Sequence, residues 1–181
     1  MQQQTNFHLT APVTAVDHAL GPDHAPVTLV EYGDFECPNC KQAAPAVKLL
    51  LERFDERVRF VFRHFPLEDM HPHALLAAEA AECAAAQGKF WQMHDLLFAN
   101  QDHLKEKNLH GYAEQLGLDM ARYTAEMNDH VYLQRVREHI DGGLKSGVRG
   151  TPGFFVGGAI QDVSFGIRAL FDVIEAALNR D

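Results

Sequence analysis

Cationic side chains are in short supply. Lys and Arg number 16 against 25 Asp and Glu, a net charge of −9. Polyanions and anionic membranes require a basic face, so this balance argues against nucleic acid or a membrane surface as the main partner. Cysteine is scarcer still, with three residues in 181. A secreted disulfide scaffold uses an even and denser set, so a stapled fold is not expected. Long apolar runs are missing too. The most apolar region, Ala74–Ala86, is broken by Glu79 and Glu82, so no membrane insertion is expected. The first residues, MQQQTNFHLTAPV, carry neither the basic nor the apolar segment of a secretory leader. As written, the chain is expected in the cytoplasm, or in the periplasm or another extracytoplasmic space if a leader was removed. There is no internal repeat and no low-complexity segment.

What is present suits a globular core, with 46% hydrophobic and 23% charged residues. Residues up to about Asp23 read as an arm with a short strand near Val13–Val16. Val27–Tyr32 (VTLVEY) and Val58–Phe62 (VRFVF) are short, β-branched and apolar, the pattern of buried strands. Between them Lys41–Phe54 places Ala43, Val47, Leu50, Leu51 and Phe54 on one helical face, with a kink expected at Pro45. Strand, helix and strand within about forty residues is a βαβ unit with parallel strands. A helical stretch from about His71 to Gly147 follows, punctuated by Gly88, Gly111 and Gly117. Its last piece spaces Tyr132, Val136, Ile140 and Leu144 four apart. Thr151–Gly158 (TPGFFVGG) reads as a strand and turn. Ile167, Leu170, Phe171, Ile174 and Leu178 mark a final helix. The β-rich pieces therefore lie on both sides of a helical block.

Two of the three cysteines stand together, in YGDFECPNCKQAAP (Tyr32–Pro45). A Cys-x-x-Cys beside a βαβ pattern is a redox signature with a physical basis. Cys37 falls where the strand gives way to the helix. There, free backbone N–H groups and the positive helix end favour the thiolate, which is the nucleophile. Pro38 suits the first helical position, where its missing N–H costs nothing. Cys40, one turn on and less exposed, can pair with Cys37. Two other readings of the pair remain open here. One is half of a zinc site completed by some of the 11 histidines, the other a pair of inert buried thiols.

VTLVEYGDFECPNCKQAAP together with GTPGFFVGG resembles the DsbA-like thiol–disulfide oxidoreductases, and Arg63–Phe98 is similar to that family's helical insert. The resemblance covers most of the chain. It implies an α/β thioredoxin fold with an inserted α-helical domain. Residues 1–64 and 148–181 would be the two parts of the thioredoxin-like domain, and 65–147 the insert. It further implies that Cys37 is an exposed nucleophile and Cys40 its buried partner. Pro152, after Thr151, would be a cis-proline facing the pair. Glu31 would be a buried acid moving a proton for the second cysteine. Protein or peptide thiols and disulfides would be the substrates. A redox partner, glutathione or a thioredoxin-type system, would recycle the pair, with no metal, flavin or nucleotide needed. One departure is Asn39, where the family's namesake has histidine. Glu36 adds a negative charge beside Cys37. Both weaken thiolate stabilisation, so the Cys37 pKa is expected at roughly 5–7.5, with a milder oxidant as the result.

Two alternative functions stand beside this one. A glutathione-dependent transferase-like relative would not need Cys40. A non-catalytic peptide- or metal-binding module would need neither cysteine for turnover. Cys83 reads as a small buried hydrophobe. His64 and His71-Pro72-His73 read as structural, with no acidic partner fixed by spacing. Phe90, Trp91 and Phe98 read as core. Phe35, Phe154 and Phe155 either line a peptide groove or pack the strands.

Overall fold

The computed structural model describes residues 7–164 and 166–180. Its elements are β1 (His18–Leu20), β2 (Val27–Gly33), α1 (Pro38–Phe54), β3 (Val58–His64), five helices α2 (Ala74–Ala85), α3 (Phe90–Ala99), α4 (Glu106–Gln115), α5 (Met120–Asn128) and α6 (Leu133–Lys145), then β4 (Gly153–Val156), β5 (Ala159–Gln161) and α7 (Arg168–Leu178). The sheet order is β1-β3-β2-β4-β5. β2 and β3 run parallel in register from Val27–Val58 to Gly33–His64, as a βαβ unit requires. All other pairings are antiparallel. This is the thioredoxin-like mixed sheet, closed by chain from both sides of α2–α6.

Alternation along the central strands sends side chains to two cores. Leu29, Phe60 and Phe62 face α1, α7 and the helices of the long segment. Val30, Tyr32, Val61 and Phe155 face α6 and the N-terminal arm. α6 comes close to the sheet because Gly143 has no side chain. A Cβ there would stand 2.7 Å from the Phe65 ring and 3.1 Å from the Tyr32 ring.

Several details differ from the sequence reading. Val13–Val16 forms no strand, and the first strand begins at His18. The reason is Arg63, buried on β3. Its guanidinium donates to both Asp17 oxygens and to the carbonyls of Ala11 and Pro12. Those bonds wrap the arm into a turn around one cation. α1 begins at Pro38 rather than Lys41, and Pro45 lies on its exposed face. Gly111 lies inside α4, whereas Gly88 and Gly117 end helices at positive φ. Leu144 points outward at 48% exposure, because α6 turns Gly142, Gly143 and Val136 to the sheet instead.

Candidate active site

β2 delivers the chain to the site. Gly33 accepts Phe65 N–H, and a Cβ on it would strike the Phe62 ring at 2.4 Å. Beyond it, Asp34 organises the turn. Its carbonyl accepts Cys37 N–H at 3.1 Å, and one carboxylate oxygen accepts Glu36 N–H at 2.7 Å. Cys37 is then the residue before the helix, with extended backbone, and Pro38 begins α1. The cysteine sulfur therefore sits at the end where helical N–H groups are free.

Cys37 is not exposed, contrary to the expectation. It is 5% accessible and Cys40 is fully buried. The reason is the facing loop. The Thr151–Pro152 peptide is cis, and the Cys37 thiol donates to the Thr151 carbonyl at 3.3 Å. The buried Thr151 hydroxyl has no hydrogen-bond partner. Pro38 and Asn39 are exposed. Asn39, Gln42 and Ala43 form one wall of a groove of about 780 Å³, with Thr151 and Pro152 opposite and Phe154 beneath. Phe35 and Phe155 are core residues, Phe35 stacked on Phe62 and Phe155 meeting Tyr32 edge-on.

The two thiols differ sharply. A hydrogen bond from Cys40 to the Cys37 sulfur outweighs burial and, with Thr151 and the backbone N–H groups of Cys40 and Asn39, draws the Cys37 pKa down to about 5. Burial, then the bond to Cys37 and the charge of Glu31, push the Cys40 thiol well above its ordinary value. Glu31 lies within β2 rather than at its end, between Phe62 and Phe154 on the neighbouring strands. It is 2% exposed, and its Oε1 has no hydrogen-bond partner. Burial, reinforced by the Cys37 charge, raises it to about 8. At neutral pH it carries a proton.

Sequence reasoning missed the residues that grip the loop from the helical segment. His71 Nδ1 donates to Asp34 at 2.7 Å, and Leu67 N–H to the same oxygen at 2.8 Å. Nδ1 and the backbone N–H of His73 donate to the two oxygens of Glu36 at 2.8 and 2.7 Å. Gln101 donates to the carbonyls of Phe35 and Cys37 at 2.9 and 2.8 Å. The acidic partners of the His-Pro-His stretch thus exist but are supplied by the fold. Glu36 is likewise not a bare negative charge. Gln101, sixty-four residues beyond Cys37, carries no local signal at all.

Cys83 is fully buried, and burial pushes its thiol up to about 12. Among the described residues one group could offer metal ligands: His18, His64 and Glu82. Both imidazoles meet the same Glu82 oxygen at 2.7 and 2.8 Å, and Arg135 ion-pairs with the other oxygen at 2.9 Å. Two zinc ligands stand about 3.3 Å apart in a tetrahedral site. These contacts are hydrogen bonds around a carboxylate whose charge Arg135 already balances. Neither active-site cysteine belongs to that group.

A family model described as Thioredoxin (Thioredoxin_4) matches residues 14–176. Among relatives, a Na(+)/H(+) antiporter NhaA 1 of Salinispora arenicola is 52% identical over 161 residues, which are 89% of this chain and 24% of that protein. The chain thus spans about a quarter of the length of the relatives it matches. Among the described residues no helix is long and apolar enough to cross a membrane. A thioredoxin-like oxidoreductase from Silicibacter pomeroyi shares 29% identity at a TM-score of 0.77, over 90% of this chain and 92% of its own. The α-DsbA1 of Wolbachia pipientis has the same fold, with a TM-score of 0.78 at 20% identity over 95% of each chain.

Proposed function

The chain belongs to the thioredoxin family matched over residues 14–176, with DsbA-like structural neighbours, and from that premise we propose that it exchanges disulfides with protein or peptide substrates through Cys37 and Cys40. The observation that carries this reading is the opposite displacement of two neighbouring thiols. One ionises near pH 5 and the other stays protonated.

In the reducing direction the Cys37 thiolate attacks a substrate disulfide. One substrate sulfur bonds to Cys37, and the other leaves and takes up a proton. In the mixed disulfide Cys37 no longer carries the charge that helps hold a proton on Glu31; Glu31 releases that proton to solvent and, as the carboxylate, takes the Cys40 proton while Cys40 attacks the Cys37 sulfur. The substrate's second thiolate departs and is protonated by solvent. The substrate has gained two electrons and the Cys37–Cys40 pair has lost them. The oxidising direction reverses each step. Glutathione or a thioredoxin-type system resets the pair by the same exchange. The Thr151–Pro152 loop flanks the groove in which an extended peptide would lie, and Asn39 and Pro38 form the exposed lip beside it. Residues 1–64 and 148–181 act as one thioredoxin-like unit and 65–147 as its helical insert.

A Cys37 pKa near 5 lies between the ~3.5 of a strong oxidase and the ~7 of thioredoxin. The potential should accordingly fall between about −120 and −270 mV. Equilibration across glutathione buffers with mass-tagged thiol counting measures it. Cys40→Ser should trap a mixed disulfide on Cys37. A pair that never oxidises reversibly would overturn the reading.

A further inference from the structure

The segment just before Cys37 carries two carboxylates, Asp34 and Glu36, each bonded to an imidazole from the turn between β3 and α2. Asp34 is 1% exposed, and its acceptors are filled by Glu36 N–H, Leu67 N–H and His71. Glu36 is bracketed by the ring and the backbone N–H of His73. Gln101 holds the carbonyls on either side of Glu36 from a third direction. Every polar contact made by these carboxylate side chains outside their own turn goes to residues 67–73. Among the described residues, the helical segment therefore both shapes the loop and supplies the only imidazoles bonded to it.

We propose that His71 and His73 are positioning residues that set the reactivity of Cys37, acting through Asp34 and Glu36 and taking the place of a charged residue inside the Cys-x-x-Cys motif. A bare carboxylate one residue from the sulfur opposes its ionisation, and an imidazolium bonded to that carboxylate cancels much of the opposition. The same bonds fix the turn whose Asp34 carbonyl takes Cys37 N–H, so that the sulfur stays over the first N–H groups of α1. Burial works against a charge on His71. The Asp34 bond, with the charges of Asp34, Cys37 and Glu36, overcomes that, and its pKa lies above the ordinary value. The thiolate and the imidazolium favour each other reciprocally. This inference rests on the exchange reading only in supposing that Cys37 reactivity is used.

The test is the pH dependence of Cys37 alkylation by iodoacetamide, paired with the glutathione equilibrium. Gln offers an N–H donor and can carry no charge, so His73→Gln and His71→Gln leave a donor near each carboxylate and take away the ionisable imidazole. Each should raise the Cys37 pKa by about half a unit to one unit. Each should also shift the glutathione equilibrium about three- to tenfold toward the protein disulfide, at ~30 mV per tenfold. Glu36→Gln should lower the Cys37 pKa, and His73→Gln with Glu36→Gln should return it to near the wild-type value. His73 is the more exposed of the two and is the variant to rely on should His71→Gln fail to fold. A Cys37 pKa unchanged in His73→Gln and in Glu36→Gln, whatever the melting temperatures do, would overturn the proposal. A wild-type pair that alkylates normally but never cycles would instead overturn the exchange reading.

Discussion

Two glutamates in this molecule are equally hidden, Glu31 at 2% and Glu82 at 3% exposure, and they behave oppositely. Glu31 sits in β2 among aromatic strands with an unpartnered oxygen, and burial lifts it to about 8. Burial pushes Glu82 on α2 upward too, but the hydrogen bonds from His18 and His64 hold it well below the usual carboxylate range. Burial also pushes down the pKa of His64 and of its stacked neighbour His139, the latter to about 3. Depth is common to both sites; the partners decide. A paired buried carboxylate stabilises the join between the sheet and the helices. An unpaired one costs stability and leaves a carboxyl that can release a proton to solvent and take one from the thiol beside it.

The largest effect should come from Glu82→Ala. It strands two imidazole N–H groups and the Arg135 charge, and should cost about 3–5 kcal/mol in denaturant melts, with the glutathione equilibrium of the cysteine pair unmoved. A loss under 1 kcal/mol would show that the cluster is not the structural counterpart of Glu31. Glu31→Met has the opposite sign. The folded state holds the Glu31 proton between pH 4.5 and about 8 while the unfolded chain releases it, so the native protein loses stability as pH rises through that window. The substitution should therefore stabilise the reduced protein by about 2–4 kcal/mol above pH 8, with the gain fading toward pH 4.5. The same variant should slow resolution by Cys40 roughly 10–100-fold in stopped-flow exchange.

The pH profile sharpens the contrast further. Glu82, with its lowered pKa, contributes stability that is present above its unfolded value of 4.5 and is lost as pH falls below it. Wild-type melting temperature should accordingly peak in weakly acidic buffer. Glu31→Met should flatten the alkaline limb and Glu82→Ala the acid limb. The smallest effect belongs to Cys83→Ala, about 1 kcal/mol. Peptide mapping after brief iodoacetamide treatment at pH 7 should find Cys37 labelled and Cys83 untouched, since burial pushes the Cys83 thiol to about 12.

The parts legible in the sequence were those written locally. Cys37-Pro38-Asn39-Cys40 announces a helix start, and Val27–Tyr32 and Val58–Phe62 announce buried parallel strands through unbroken apolar character. Glu31 is legible only through the resemblance to the DsbA-like oxidoreductases. What stayed hidden was decided by distant chain. Val13–Val16 has strand composition, yet Arg63 claims the carbonyls beside it. Leu144 keeps the spacing of an apolar stripe, but Gly142 and Gly143 carry the close approach to the sheet and leave Leu144 at the outer edge of that face. The carboxylate–imidazole pairs around Cys37 join residues 37 positions apart, which no periodicity reports. Exposure of Cys37 was misjudged because the loop that covers it belongs to the other end of the chain.

That separation also orders events at the ribosome. Cys37 and Cys40 are made early, but Thr151 and the strand that pairs with Glu31 emerge only after the whole helical segment. At typical elongation rates the wait is on the order of ten seconds. During it the cysteines lack both the covering carbonyl and the β4 strand beside them. A nascent chain therefore carries the pair without its cover, and the complete site exists only after the last strands dock.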